Sequence, residues 1–343
     1  MADAGDLDIG PLGAELEAAI DGFSDLQQVS KFNTGQSNPT YLLTAKSGQY
    51  VLRAKPPGEL LKSAHQVDRE FRVMQALAGS DVPVPAMLYL SAEESCLGRM
   101  YFVMEYLQGR IFWKPELPEC ELAERAPVYD AMNATLAALH DVDPDAVGLA
   151  DFGRPGNYFE RQLSRWTKQY KASEIDPISD MDALIGWLEK TLPADDGQVS
   201  LVHGDYRIDN MIFAPQKPAI LAVLDWELST LGHPLADLAY QCMQWRLPHD
   251  SGFRGLGGLN RAAIGLPSEE DYVAAYCARR KIDTIEHWPF YLAFSFFRLA
   301  AILQGVVKRA VDGNASNPQR AREMSSAVPI MAAMAMEITR GRS

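Results

Sequence analysis

Apolar and polar positions recur along this chain in two rhythms, and the change from one to the other divides it. Three runs of strand-like character, 26–33, 39–46 and 49–55, follow a short amphipathic helix expected at 11–21. The triplet SGQ at 47–49 predicts a hairpin turn between the last two runs. In AHQVDREFRVMQALAG, Val67, Phe71, Met74 and Leu77 fall at helical spacing, which predicts a helix over 64–79 closed by Gly79. VPVPAMLYL leads into a further strand, and RMYFVMEYL, 99–107, reads as a continuous buried one. After Gly109 the rhythm becomes helical, with helices expected at 122–142, 157–171 and 178–192. A cluster of short strands occupies 201–227, and helices resume at 235–246, 268–281, 285–309 and 318–340. The expected architecture is α+β: a small sheet with one main helix, then a larger helical part, joined near Glu105–Gly109.

Composition and charge narrow the classes. A chain of 343 residues is long for one core, so two lobes are expected. Acidic residues outnumber basic ones by 45 to 32, for a net charge of -13, and no basic stripe offsets them. Such a field repels phosphate backbones, so nucleic acid is not an expected partner. Cys96, Cys120, Cys242 and Cys277 show no metal-ligand rhythm and read as free thiols of a reducing compartment. The opening MADAGDLDIG lacks a basic, apolar leader. WPFYLAFSFFRLAAILQGVV, 288–307, is apolar enough for a membrane, yet Arg298 and Gln304 sit within it, and a buried core helix is expected instead. A cytoplasmic protein without a membrane partner is expected.

The candidate chemistry lies in LVHGDYRIDNMIFAPQKPAILAVLDWE, 201–227. Asp205, Asp209, Asn210 and Asp225 stand among strand-like apolar residues, where burial of a carboxylate is costly unless something compensates it. A metal ion, a phosphate-bearing substrate or an internal hydrogen-bond network could each do so. If MIF and ILAVL form antiparallel strands, their ends bring Asp205, Asn210 and Asp225 toward one point. Phosphoryl transfer uses such a set: one carboxylate directs the attacking hydroxyl, while a carboxamide and a second carboxylate hold Mg²⁺ against the phosphates. Upstream, KFNTGQSNPT is small and polar; Gly35 would let backbone N–H groups approach phosphates, with Ser37 and Asn38 as donors, though a plain hairpin turn explains the segment equally well. GLGGLN, 255–260, imitates a dinucleotide loop but follows no strand.

HGDYRIDN followed by VLDWE resembles the signature of the aminoglycoside phosphotransferase family, relatives of choline kinase and, more distantly, of protein kinases. NTGQSNPTYLL, YVLRAKPPG, VDREFRVMQAL, VPVPAMLYL, FVMEYLQGR and LDWELSTLGHPLADLAYQ follow in family order, so the likeness covers most of the chain. RAKPPG, VDREFRVM and DWELSTLG are especially similar to the kinase-like portion fused to certain long acyl-CoA dehydrogenases; no dehydrogenase domain is expected here. The resemblance implies a two-lobe kinase-like fold: a nucleotide-binding lobe at 1–104, a hinge at 105–109, and a catalytic and substrate-binding lobe at 110–343.

By position, the resemblance makes Asp205 the catalytic base and Asn210 and Asp225 the metal ligands, with Trp226 and Glu227 replacing the Phe and Gly of a DFG element. It puts Arg53 at the usual phosphate-gripping lysine, with Glu70 as its helix partner. Arginine is not a simple substitute for a point-charge lysine, and Lys55, two residues on along the same strand face, is expected to share or take over the role. Glu105 and Tyr106, after Met104, fall at the hinge that binds the purine edge, and Asp237 supports the catalytic loop by accepting backbone hydrogen bonds. His203 reads as structural, and Arg207 and Asp209 either pair or reach the substrate. The implied activity is Mg²⁺-dependent transfer from ATP, with GTP left open, to the hydroxyl of a small molecule. A hydroxyacyl compound or its CoA thioester is one acceptor class, an aminoglycoside or other amino-alcohol another. A pseudokinase that binds nucleotide and transfers nothing is the third reading, and Arg53 is the residue that favours it.

Overall fold

The computed structural model describes residues 2–3, 7–32, 38–58, 65–93, 95–250, 252–313 and 324–341. The chain forms two compact units that interleave in sequence. The first takes Met1–Trp113, Val142–Ala150 and Arg207–Ser229; the second takes Lys114–Asp141, Asp151–Tyr206 and Thr230–Ser343.

The first unit is built on a six-stranded antiparallel sheet. Its strands are β1 (Ala2–Asp3), β2 (Leu26–Lys31), β3 (Thr40–Ala45), β4 (Gly48–Ala54), β5 (Met87–Leu90) and β6 (Tyr101–Glu105), ordered β1-β2-β3-β4-β6-β5. The turn between β3 and β4 is the two-residue Lys46-Ser47, with Ala45 opposite Gly48, whose φ of 143° glycine supplies without strain. Period-two alternation then gives the sheet two apolar faces. Tyr41, Leu43, Leu52, Ala54, Tyr101 and Val103 pack with helix α1 (Ile9–Ala19), whose Leu12 and Leu16 are fully buried. Each such leucine contributes roughly 1.5–3 kcal/mol by leaving water. α1 begins two residues earlier than its apolar spacing suggests, because the Asp8 carboxylate caps it by accepting from the Gly10 N–H at 3.0 Å.

The other face carries Leu42, Val51, Arg53, Phe102 and Met104, and helix α2 (Val67–Leu77) contributes to it, with Phe71 and Phe102 rings 6.2 Å apart. Val67, Glu70, Phe71, Met74 and Leu77 are all buried, so the helix's apolar stripe holds one carboxylate. Gly79 (φ +84°) follows its end, as expected. A second antiparallel hairpin, β8 (Met211–Phe213) with β9 (Ile220–Val223), joins this unit through paired hydrogen bonds of Arg110 with Phe213. Gly109 makes that approach possible: a Cβ there would lie 2.4 Å from Ile212 Cγ2 and the Phe213 carbonyl.

The second unit is helical apart from a short ribbon, β7 (Ser200–Val202) with β10 (Thr230–Gly232). Its helices are α3 (Leu122–Asp141), α4 (Tyr158–Ser173), α5 (Ser179–Thr191), α6 (Leu235–Arg246), α7 (Glu269–Arg280), α8 (Trp288–Val311) and α9 (Ala327–Thr339). The expected start of the last helix, 318–323, lies outside the described residues. α8 begins at Trp288 rather than 285 because Pro289 fixes its first turn. It is long and apolar enough to cross a membrane, but it is largely buried and packs against α4, α5, α6 and α9 as a core helix. Phe290 and Phe294 meet the Phe159 ring edge-on at 5.6 and 5.2 Å.

Candidate active site

In the first unit, the sheet face opposite α1 forms one wall of a cavity of about 300 Å³. Val51, Phe102, Met104 and Ile111 give it an apolar part, and Arg53, Glu70, Asn210 and Asp225 a polar one. The β8–β9 hairpin explains why the last two meet. Met211 pairs with Val223, and the Leu224 N–H donates to the Asn210 carbonyl at 2.8 Å, so Asn210 and Asp225 flank the open end of one ribbon. Asp225 adopts a left-handed conformation (φ 65°), which a short polar side chain tolerates better than most.

Arg53 holds this end together. Its Nε donates to Glu70, 3.0 Å away, and its NH2 to Asp225 Oδ1 at 2.6 Å, with Glu227 at 3.9 Å. The side chains of Arg53 and Glu70 are only 13% and 1% exposed. Burial pushes the Glu70 carboxyl up against the pull of Arg53, and the charges of Asp225 and Glu227 add to the rise, to about 7. Burial pulls the other way on Arg53, but its three carboxylate neighbours hold its pKa above the ordinary value. The guanidinium fork spans two carboxylates from different elements, which a lysine ammonium does not do in the same geometry.

Asp205 belongs to the second unit. Its Oδ1 accepts from the Tyr240 hydroxyl at 2.8 Å, and its backbone N–H donates to His203 Nδ1 at 3.2 Å. That bond leaves Nδ1 unprotonated, so fully buried His203 has a structural place, as expected. Asp237, at the start of α6, accepts from the backbone N–H groups of His203 (2.6 Å) and Gly204 (2.8 Å). Burial alone would raise its pKa, but His140 at 3.4 Å and these donors hold it below the usual carboxylate range. His140 is driven down by its burial, and its Nδ1 meets the Tyr276 hydroxyl at 2.7 Å. Arg298 donates to the Gly204 carbonyl at 3.1 Å and lies 5.6 Å over the Tyr240 ring. The loop bearing Asp205 is therefore pinned on both sides.

The remaining expected site residues divide. Glu105 and Tyr106 line the cavity where the chain leaves β6. Asn38 does not face it: only 2% exposed, its amide donates to Glu70 at 2.8 Å and its oxygen meets His65 Nδ1 at 3.0 Å. A buried carboxylate needs a second donor, and Asn38 supplies it. Lys55 also departs from expectation. β4 ends at Ala54, Pro56 and Pro57 follow, and Lys55 pairs with Glu93 rather than with the cluster of Arg53. Gly35 and Ser37 lie outside the described residues. Arg207 and Asp209 pair with each other at 2.6 Å, and Asp209 also lines the cavity. Tyr240 and Arg298 have no local motif and were not anticipated.

The oxygen donors Asn210 and Asp225 fit a hard divalent cation such as Mg²⁺, which takes one or two protein oxygens and fills its shell with phosphate and water. No group of three or more His, Cys, Asp or Glu positioned for a metal occurs among the described residues.

A sheet with a buried Arg–Glu pair, followed by a helical part in which a hydrogen-bonded loop carries an aspartate, defines the kinase-like class of phosphotransferases. The model of the phosphotransferase enzyme family, APH, matches residues 28–276, and the chain belongs to that family. It is 48% identical over 291 residues to acyl-CoA dehydrogenase family member 10 of Mus musculus, covering 84% of this chain and 27% of that protein. The chain thus spans little more than a quarter of that relative's length. A crystal structure from Ralstonia eutropha JMP134, provisionally assigned as an aminoglycoside phosphotransferase, superposes with a TM-score of 0.88 at 47% identity, covering 97% of this chain and 98% of that one. Spectinomycin phosphotransferase APH(9)-Ia, solved with ADP and spectinomycin, shares the fold at a TM-score of 0.65 and 10% identity, over 97% of this chain and 99% of its own.

Proposed function

We propose that this chain phosphorylates a hydroxyl group of a small molecule, using ATP and Mg²⁺, with a hydroxyacyl compound or its CoA thioester as the acceptor. The observation that carries the reading is the Arg53 guanidinium, held by Glu70 and Asp225 on the wall of a cavity with an apolar part beside it. The apolar part suits a purine, with the backbone at Glu105–Tyr106 for its polar edge, and Arg53 neutralises phosphate charge. Asn210 and Asp225 would hold Mg²⁺, which supplies charge neutralisation on the phosphate oxygens. Asp205, oriented by Tyr240, takes the hydroxyl proton. The acceptor oxygen forms its bond to the γ-phosphorus as the bridging P–O bond breaks, and ADP leaves with that electron pair. Positioning and electrostatics supply most of the acceleration.

A second reading, nucleotide binding without transfer, is favoured by the contact of Arg53 with Asp225, which engages an oxygen the metal would use. One experiment separates the readings. Mg²⁺-dependent loss of the ATP γ-phosphate is followed with hydroxy acids, hydroxyacyl-CoAs and aminoglycosides, in the wild type and in Asp205→Asn. Transfer to the hydroxyacyl group, cut by about 10²–10⁴ in the variant with nucleotide affinity intact, supports the proposal. Transfer to aminoglycosides alone replaces the acceptor; no transfer to any of them supports the silent form; full activity in Asp205→Asn removes the base.

A further inference from the structure

The second unit contains a groove of about 720 Å³ that shares no lining residue with the Asp205 loop. One wall is the loop Arg154–Asn157 and the other is α4, which presents Arg161, Arg165 and Lys168 at i, i+4 and i+7 with Ser164 between them. At 1.5 Å per residue, the three cations span about 10 Å. Arg161 fastens the walls together, donating to the carbonyls of Arg154 at 2.5 Å and Pro155 at 3.4 Å.

Like charges at this spacing on a helix repel, and they are usually relieved by carboxylates. Lys171, one turn further on, is relieved in that way by Glu174 and Asp182. Arg154, Arg161, Arg165 and Lys168 have no ion-pair partner among the described residues, and Glu160 is the one carboxylate in the lining. Four cations against one anion persist in a chain whose net charge is -13. Spread over fifteen positions, 154–168, they do not read as a basic run in the sequence; α4 and its preceding loop gather them.

We propose that this groove binds a small molecule carrying two or more phosphate groups. Arginine forks engage phosphate oxygens in pairs, Ser164 and Asn157 add neutral polar groups, and a span of about 10 Å suits a diphosphate with a further phosphate one sugar away. The same span is short for duplex nucleic acid, which the overall negative field also repels. Trp166, the large aromatic of this helix face, is buried, so the groove lacks the apolar wedge with which a helix enters a lipid surface. The ligand is either the phosphate-bearing handle of an acceptor or a free effector; the site itself does not depend on the assignment of Asp205.

Isothermal titration of orthophosphate, pyrophosphate, 3′,5′-ADP and CoA, at low ionic strength, tests it in the wild type and in Arg165→Glu/Lys168→Glu. Both substituted side chains are exposed, and unchanged thermal melting checks the fold; Arg154→Glu is the independent second variant. The expected result is affinity that rises with phosphate number and falls at least tenfold in both variants. A parallel rise in KM for phosphate-bearing acceptors at constant kcat identifies the handle, and an unchanged KM identifies an effector. Equal binding by wild type and variants, no binding of any probe, or binding only of duplex nucleic acid or anionic vesicles overturns the proposal.

Discussion

Replacing Arg53 with methionine tests how the buried charges of the first unit are balanced. Removing one partner of a buried ion pair ordinarily costs about 3–5 kcal/mol, because the other charge is stranded. Glu70 has a less expensive outcome available. Its pKa already stands at about 7 with Arg53 beside it, so at neutral pH it takes up a proton at little cost. Losing Arg53 raises that pKa further. Arg53→Met should therefore cost only roughly 1–2 kcal/mol at pH 6, mainly the lost hydrogen bonds to Glu70 and Asp225. The sign at higher pH follows from proton counts. Between the unfolded value near 4.5 and the raised folded value, the folded state of the variant binds the extra proton, so its stability falls as pH rises across that window. At pH 9 the deficit should approach the upper figure, and adding Glu70→Gln should recover most of the difference. Urea unfolding of the single and double variants at pH 6 and 9 measures both. A deficit that is the same at the two pH values, or a double variant no better than the single one at pH 9, would refute this account.

Tyr240→Phe removes the hydrogen bond to Asp205, so kcat should fall about tenfold in a steady-state assay, with nucleotide KM unchanged. Asp237→Ala should cost about 3 kcal/mol by freeing the buried N–H groups of His203 and Gly204, read by thermal or urea melts. Because the Asp237 pKa is lowered in the fold, its stabilisation is complete above its unfolded value near 3.8 and is lost as pH falls through the folded one. The variant should accordingly show a shallower decline in stability with acid than the wild type. Gly109→Ala should destabilise by about 1–3 kcal/mol, since its methyl group meets the backbone of Phe213, and a melting temperature equal to wild type would show that the clasp can yield.

Elements with a strong period were legible in advance. The helices at 122–142 and 235–246 emerge within a residue of their spacing, because apolar positions and side-chain geometry agree there. Asn210 and Asp225 were also readable as neighbours, since one short hairpin joins them. Lys55 is expected beside Arg53 from strand alternation; β4 ends at Ala54, and the pairing of Lys55 with Glu93, 38 residues away, has no local signal. Asn38 is expected as a phosphate donor; its amide donates to Glu70, 32 residues away, and nothing local announces that a helix carboxylate will be buried. Tyr240 and Arg298 were invisible for the same reason: their contacts with Asp205 and Gly204 span 35 and 94 residues.

The interleaving of the two units carries a consequence for how the chain matures. The segment that supplies Asn210 and Asp225 to the first unit, Arg207–Ser229, is synthesised long after the sheet and α2. During vectorial synthesis the sheet must wait for roughly the next hundred residues before its cavity gains the final wall. A nascent chain stopped at Trp113 would therefore lack the β8–β9 wall of the cavity, which only synthesis through Ser229 supplies.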